Sequence, residues 1–395
     1  MEIRPKFLII VVKLKIMIVR LQLENIKEQC FKGKVIILLG ARQVGKTTLL
    51  KNLIKELQVP SLWLNADEAD IFELLSAANT STALLQLIGQ QTKVVVIDEA
   101  QQVPEIGKKL KLLYDTKPEL QIIATGSSAF DLSNSTQEPL TGRKRVFHLY
   151  PISYEEGVLN SSSLEAKRLL EARLIYGSYP DVINNPGREK IILQEIAQSY
   201  LYKDILQLEG VRKSGHIEKL LQALAFQVGS EVNFQELAKT IGNINPATVE
   251  KYIDLLEKTF VIFKLPALSR NLRNELKKGK KYYFYDNGVR NVILNNYMPI
   301  ELRFDKGALW ENYLISERNK QNDYLGNFPN CYFWRTHDQA EIDYIEEIDG
   351  CMNAYEIKWK ENNNRFPQSF QTAYPQNSCL TVNLQNFEDF VSIKN

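Results

Sequence analysis

Gly40-Ala-Arg-Gln-Val-Gly-Lys-Thr47 follows a short apolar run, Val35 to Leu39, and precedes Thr48 to Leu57, where apolar residues recur at helical spacing. A strand, a glycine-bearing turn of the form GxxxxGK[ST] and a helix make the signature of a phosphate-binding loop. The chemistry explains the spacing. Glycines at 40 and 45 let the loop wrap a phosphate with backbone N–H groups, and the helix amino terminus adds positive potential. Lys46 is placed to reach the β and γ phosphates, and Thr47 to ligate Mg²⁺. Gly40, Ala41, Arg42, Gln43, Val44, Gly45, Lys46, Thr47 and Thr48 are the expected nucleotide contacts, with ATP and Mg²⁺ the expected ligands.

Outward from that loop, apolar strands alternate with helical stretches: Val35 to Leu39, Leu62 to Leu64, Val94 to Ile97, Ile122 to Ala124 and Val146 to Leu149. Such alternation predicts a parallel sheet in an α/β fold. The run Val94-Val-Val-Ile-Asp98-Glu99 ends in two carboxylates, as a central strand opening onto a site does. Asp98 is expected to hold Mg²⁺ through water, and Glu99 to polarise the attacking water as general base. Thr125 or Ser127, at the end of the next strand, is read either as a γ-phosphate sensor or as simple turn capping. Arg143, in Thr141-Gly-Arg-Lys-Arg145, is a candidate to stabilise transition-state charge, within one subunit or across an interface.

A length of 395 residues with 44% hydrophobic and 24% charged residues predicts an ordinary globular chain of two to four domains. Net charge of +2 excludes a globally basic nucleic-acid binder, so any such surface is a local patch. Cys30, Cys331, Cys351 and Cys379 form no CxxC pair, which points away from a disulfide framework or a zinc site and toward a reducing cytoplasm. Lys13 and Lys15 interrupt the apolar amino terminus, leaving it too short and too charged to span a membrane, and no small-residue cleavage site follows. An edge strand or an over-extended translation start, with Met17 as the start, is expected there.

The expected division is an ATPase domain over 17–160, a helical subdomain over 161–227, a winged helix-turn-helix over 228–285 and a carboxy-terminal domain over 286–395. Helical periodicity after Ser161 is broken at Tyr176-Gly-Ser-Tyr-Pro180 and Asn184-Asn-Pro-Gly187. From Asn233 to Leu256 two helices are joined by Gly242-Asn-Ile-Asn245, with Asn245 as cap and Pro246 in the first turn. Val261 to Leu265 and Lys281 to Tyr285 read as strands enclosing a basic wing.

Together these strings resemble the bacterial and archaeal AAA+-type ATPases that carry a restriction-endonuclease-like carboxy-terminal domain of unassigned function. The resemblance covers nearly everything after Met17. Its carriers are Leu39-Gly-Ala-Arg-Gln-Val-Gly-Lys-Thr-Thr48, Ile97-Asp-Glu-Ala-Gln101, Thr125-Gly-Ser-Ser128, Leu140-Thr-Gly-Arg143, Leu149-Tyr-Pro-Ile-Ser153, Gly177-Ser-Tyr-Pro180, Tyr202-Lys-Asp-Ile205 and Trp334-Arg-Thr336. It implies an AAA+-like fold and ATP hydrolysis.

Near the carboxy terminus, Tyr332 to Thr336, Ala340 to Ile348 and Met352 to Lys360 read as strands, with Asp349-Gly350 a two-residue hairpin signal. Opposed residues of that hairpin then carry numbers summing to about 699, so Asp343 faces Glu356 and Glu341 faces Lys358, while Ile342, Tyr344, Tyr355, Ile357 and Trp359 share the other face. Asp343, Glu356 and Lys358 match the D…ExK pattern of restriction-endonuclease-like nucleases, where carboxylates hold a divalent metal and lysine activates water. Glu311 looks similar to the extra acidic ligand of that fold. The alternative is a solvated charged face with a Glu341–Lys358 pair.

The basic stretch Arg270, Arg273, Lys277, Lys278, Lys280 and Lys281 is a candidate phosphate contact, and Lys239, Asn243, Asn245, Thr248 and Lys251 are candidates for groove edges. Two function classes follow. One is an ATPase that moves a winged-helix and nuclease-like domain on duplex DNA; the other is an ATP-gated switch that binds a protein partner or a second copy and cuts nothing.

Overall fold

A computed structural model of the chain describes residues 18–127, 140–198, 214–269, 279–336, 340–360 and 366–392. The amino-terminal residues through Met17, Ser128, the Tyr202 to Ile205 motif, Arg270, Arg273, Lys277 and Lys278 lie outside them.

Strands β1 (Val35–Leu39), β2 (Ser61–Asn65), β3 (Val94–Asp98), β4 (Gln121–Gly126) and β5 (Lys144–His148) form one parallel sheet in the order β2-β3-β4-β1-β5. The three central strands are buried along their whole length, which is why their middles read as consecutive apolar residues rather than as alternating ones. Parallel register places Leu39 beside Gly126, and Ile97 beside Ala124. The carboxyl ends of β1, β3 and β4 therefore emerge side by side, where Gly40, Asp98 and Thr125 follow or finish them. The helix Lys46–Leu57 leaves the loop after β1 and packs its Leu49, Leu50 and Leu53 inward.

Helices at Tyr154–Asn160, Ser163–Arg168, Leu170–Tyr176, Pro180–Asn184, Glu189–Ile196 and Ser214–Phe226 follow. A capping box starts the first of them: Ser153 Oγ accepts from the Glu156 N–H at 3.2 Å, and Glu156 Oε2 accepts from the Ser153 N–H at 3.0 Å. Strand β6 (Glu231–Val232) leads into the helix Phe234–Thr240, then Pro246–Lys258, whose cap is Asn245, accepting from Ala247 N–H at 2.9 Å. Strands β7 (Ile262–Pro266) and β8 (Lys280–Phe284) pair antiparallel, with β6 on the outer edge of β8. Two helices followed by an antiparallel strand pair thus occupy residues 234–284.

The helix Lys306–Leu325 then runs through the molecule, buried at Leu309, Trp310, Leu314 and Tyr324. Strands β9 (Asn330–Arg335), β10 (Glu341–Ile348), β11 (Cys351–Ile357) and β12 (Asn377–Val382) form a sheet in the order β12-β11-β10-β9, with β12 parallel to β11 and the other pairs antiparallel. Asp349 and Gly350 both adopt positive φ, 49° and 83°, as a two-residue hairpin turn of this twist requires. Tyr344 pairs with Tyr355 and Ile348 with Cys351, the expected register. The face assignment needs one correction. The pairing of β10 with β9 slips between Ile342 and Ile345, a bulge that turns Ile342 away from Tyr344. Ile342 joins Trp334, Ile345, Met352, Ala354 and Phe370 on one face, whereas Tyr344 and Ile357 belong to the main core on the other.

Among the described residues, no helix is long and apolar enough to cross a membrane.

Candidate nucleotide site and carboxylate cluster

The loop from Gly40 to Thr47 is built by close backbone approach. A Cβ at Gly40 would lie 2.1 Å from the carbonyl oxygen of Leu149, so the segment after β5 leaves room only for hydrogen. Gly45, at φ 100°, takes a left-handed turn that starts the helix Lys46–Leu57. Buried Lys46 folds back across the loop, its Nζ donating to the carbonyl oxygens of Gly40 and Ala41 at 2.8 and 3.1 Å.

Asp98 is held from both sides. Thr47 Oγ1 donates to its Oδ2 at 2.9 Å, and Thr125 Oγ1 donates to its Oδ1. The Glu99 N–H in turn donates to Thr125 Oγ1 at 3.1 Å, and Glu99 takes a left-handed backbone conformation, φ 51°. Gln101 Nε2 donates to Glu99 Oε2 at 2.6 Å and to Ser127 Oγ at 3.3 Å. Lys46, Thr47, Asp98, Glu99 and Thr125, five residues read from three separate motifs, are therefore brought together by three adjacent strand ends.

Arg143 is not with them. It precedes β5 at the end of the sheet where Val35 begins, its carbonyl oxygen accepting from the Val35 N–H at 2.9 Å, and its Nε pairs with Asp115 at 3.1 Å. That is the edge opposite Gly40, so a charge-stabilising role within the same subunit does not hold; only the role across an interface survives as a proposal. Two residues that the sequence reading did not assign to the site do reach the loop. Arg20 donates to the Val44 carbonyl oxygen at 2.7 Å, and Pro180, within Gly177 to Pro180, approaches Gly45. A cavity of about 370 Å³ lies beyond Glu156 between Ile152, Tyr154, Arg173 and Tyr313, and no residue from Gly40 to Thr48 lines it.

Around β10 and β11 acids and lysines interleave. Lys358 Nζ lies 2.6 Å from Glu356 Oε1 and 3.7 Å from Asp343 Oδ2, which also accepts from the Ile357 N–H at 2.8 Å. The expected Glu341–Lys358 pair is replaced: Glu341 accepts from Lys281 at 2.5 Å, drawn there because the β10 bulge re-aims this end of the strand. Lys281 also stands 3.7 Å from Glu311, to which Tyr283 Oη donates at 2.6 Å. Burial, with Asp343 adding to it, pushes the Glu311 carboxyl up to about 7. Among the described residues no three His, Cys, Asp or Glu side chains are disposed to hold one metal ion, so Glu311 does not complete a set with Asp343 and Glu356. Lys281 itself is a correction. It is buried and ion-paired, not a surface cation available to phosphate.

Comparison with known proteins adds the family context. Residues 32–158 match a family model described as an AAA domain, and residues 167–298 and 306–391 match two models described as domains of unknown function. Residues 32–158 are thus similar to AAA domains. An uncharacterized protein of Mycobacterium tuberculosis is 26% identical over 340 residues, 85% of this chain and 72% of its own length. Another, from Haemophilus influenzae, is 28% identical over 318 residues, 74% of this chain and 76% of its own. Among solved structures, a Walker-type ATPase of Pyrococcus abyssi aligns with 18% identity and a TM-score of 0.49, covering 70% of this chain and 96% of that one. The segment that matches the AAA model contains the whole Lys46, Thr47, Asp98, Glu99 and Thr125 constellation.

Proposed function

We propose that this chain hydrolyses ATP in a Mg²⁺-dependent reaction at its AAA domain. The observation that carries the reading is the chain Thr47–Asp98–Thr125 beside Glu99 at the mouth of the glycine loop. ATP with Mg²⁺, when bound, supplies an electrophilic γ-phosphorus and a cation that spreads its negative charge. Backbone N–H groups of the loop and the Lys46 ammonium hold the phosphates. The Thr47 hydroxyl and Asp98, already within hydrogen-bond reach of each other, are the groups suited to the metal and its waters. Glu99 accepts a proton from the attacking water, and Gln101 orients its carboxylate. Arg143 of a neighbouring copy is the proposed transition-state cation. Nucleotide titration and ATP turnover test this: the parent should need Mg²⁺, and Lys46→Ala should lose binding. Turnover by Lys46→Ala at the parent rate would defeat the proposal.

A second reading, that ATP hydrolysis moves a winged-helix unit and a nuclease-like carboxy-terminal unit on duplex DNA, rests on two observations. Asp343, Glu356 and Lys358 meet on neighbouring strands, a donor set that suits a divalent metal flanked by a water-activating lysine. Lys239, Asn243 and Lys251 stand exposed on the helix pair. Against cleavage stands the compensation of the four acids by Lys281 and Lys358, which favours an ATP-gated switch for a protein partner. ATP turnover with and without duplex DNA, together with nicking in Mg²⁺ or Mn²⁺, separates them. Stimulation with nicking supports the DNA machine; indifference in both supports the switch.

A further inference from the structure

We propose that Arg20 is a positioning residue of the nucleotide site, through which Tyr324 of the carboxy-terminal helix Lys306–Leu325 keeps the phosphate loop in shape. The proposal rests on the reading that Gly40 to Thr47 takes phosphate, and deepens it by naming what controls the loop.

Arg20 lies 24 residues before Val44, yet its guanidinium is buried and every side of it is engaged. Nε meets Glu156 Oε1 at 3.0 Å, Nη1 donates to the Val44 carbonyl oxygen at 2.7 Å, and Nη2 donates to the Tyr150 carbonyl oxygen at 2.6 Å. The planar fork gives it no freedom to slide among these acceptors. Glu156, itself fully buried, is fixed in turn: Oε1 also accepts from Leu21 N–H and Oε2 from Ser153 N–H, both at 3.0 Å.

What this does to the loop follows from peptide planarity. In a trans peptide the carbonyl and the following N–H point in opposite directions. A donor clamped on the Val44 carbonyl therefore aims the Gly45 N–H away from Arg20. An orientation held before any ligand arrives is what a backbone phosphate cradle requires.

The other end of the linkage is in the carboxy-terminal unit. Tyr150 offers its carbonyl to Arg20 and its N–H to Tyr324 Oη at 3.3 Å, and the two tyrosine rings lie 5.8 Å apart. The Tyr324 carbonyl oxygen accepts from Asn25 Nδ2 at 2.8 Å, on the helix that Arg20 precedes. About two turns earlier, Glu317 accepts from the Tyr154 N–H at 2.6 Å. The segment from Tyr150 to Tyr154 is thus gripped by the long helix on one side and by Arg20 on the other. Whatever shifts that helix shifts the Val44 carbonyl, and by linkage nucleotide binding must resist the shift equally.

The experiment uses the full chain with Arg20→Met, Arg20→Lys and Tyr324→Phe. Hydrogen exchange of the amides from Gln43 to Thr47 is followed without nucleotide, and affinity for a fluorescent ATP analogue and steady-state turnover are measured alongside. Arg20→Met should speed loop exchange and weaken nucleotide about tenfold, the scale of a lost charge-assisted bond. Arg20→Lys should recover part of the loss. Tyr324→Phe, which removes a single oxygen, should raise KM a few-fold, more than it lowers kcat, and the double variant should cost less than the product of the singles. Loop exchange and affinity unchanged in both Arg20→Met and Tyr324→Phe would overturn the proposal. If Arg20→Met fails to fold, Tyr324→Phe decides alone. If the parent binds no nucleotide, the phosphate reading falls, while faster loop exchange in Tyr324→Phe would still support the linkage.

Discussion

The hydroxyl of Thr125 donates to Asp98 and accepts from the backbone N–H of Glu99, so a single oxygen on β4 sets the position of both carboxylates at the end of β3. Its proton is committed to Asp98, and its lone pair to Glu99. The residue acts on the site by holding it.

Thr125→Val keeps the shape and removes the oxygen. Nucleotide affinity should stay within a few-fold of the parent while turnover drops by about ten- to a hundredfold, the range expected when a catalytic carboxylate loses its orientation. Binding titration and steady-state kinetics on the same preparation check this. Equal turnover in both would return Thr125 to simple turn capping.

Lys281 separates structural charge from nucleic-acid contacts. Because it is buried against Glu341 and Glu311, Lys281→Met should leave uncompensated acids and destabilise the chain by about 3–5 kcal/mol. Lys280, half-buried over the Phe234 ring, should tolerate alanine within about 1 kcal/mol. Denaturant melts of both variants read the contrast directly, and equal stabilities would contradict it.

For the hairpin acids, direct opposition of Asp343 and Glu356 would make Asp343→Asn stabilising, but Lys358 and the Ile357 N–H already answer the Asp343 carboxylate. The variant should therefore be no more stable than the parent, and less stable by about 1 kcal/mol where the charged acceptor is lost. If the nuclease-like reading holds, its Mn²⁺ affinity should also fall in calorimetric titration. A stabilised variant would show that repulsion dominates this face.

Asp305 supplies a pH signature. Burial raises its carboxyl, but the hydrogen bond from Arg303, then Arg290, overrides this and brings it from 3.8 down to about 2. A depressed acid stabilises above its unfolded value, and that contribution is lost as pH falls through the folded value. Asp305→Asn should cost about 1–2 kcal/mol above pH 4, the difference shrinking between pH 4 and 2. Urea melts across that window test the sign; a difference independent of pH would assign Asp305 to packing alone.

How legible this was in sequence varies with the range of the forces. Strands β1, β3 and β4 stood out because burial on both faces fills their middles with consecutive apolar residues, and the loop because glycine spacing and Lys46-Thr47 follow from phosphate geometry. The β10–β11 register was readable because Asp349 and Gly350 accept the positive φ of a two-residue turn. Ile342 was misplaced because a bulge depends on how β9 meets β10, which no local pattern records. Arg20 was invisible for a similar reason: its partners lie 24, 130 and 136 residues away. Lys281 sits in a run of lysines that reads as surface, and only its packing against Phe333 and Glu341 shows otherwise.

The proposed role of Glu99 is to activate water at a nucleotide site built by Lys46, Thr47 and Asp98. Single-turnover hydrolysis of saturating ATP with Mg²⁺, in parent and Glu99→Gln, tests it most directly. Glu99→Gln should bind ATP with the parent affinity and hydrolyse it about a hundredfold or more slowly, since the amide cannot take the proton. Hydrolysis by Glu99→Gln at the parent rate would contradict it.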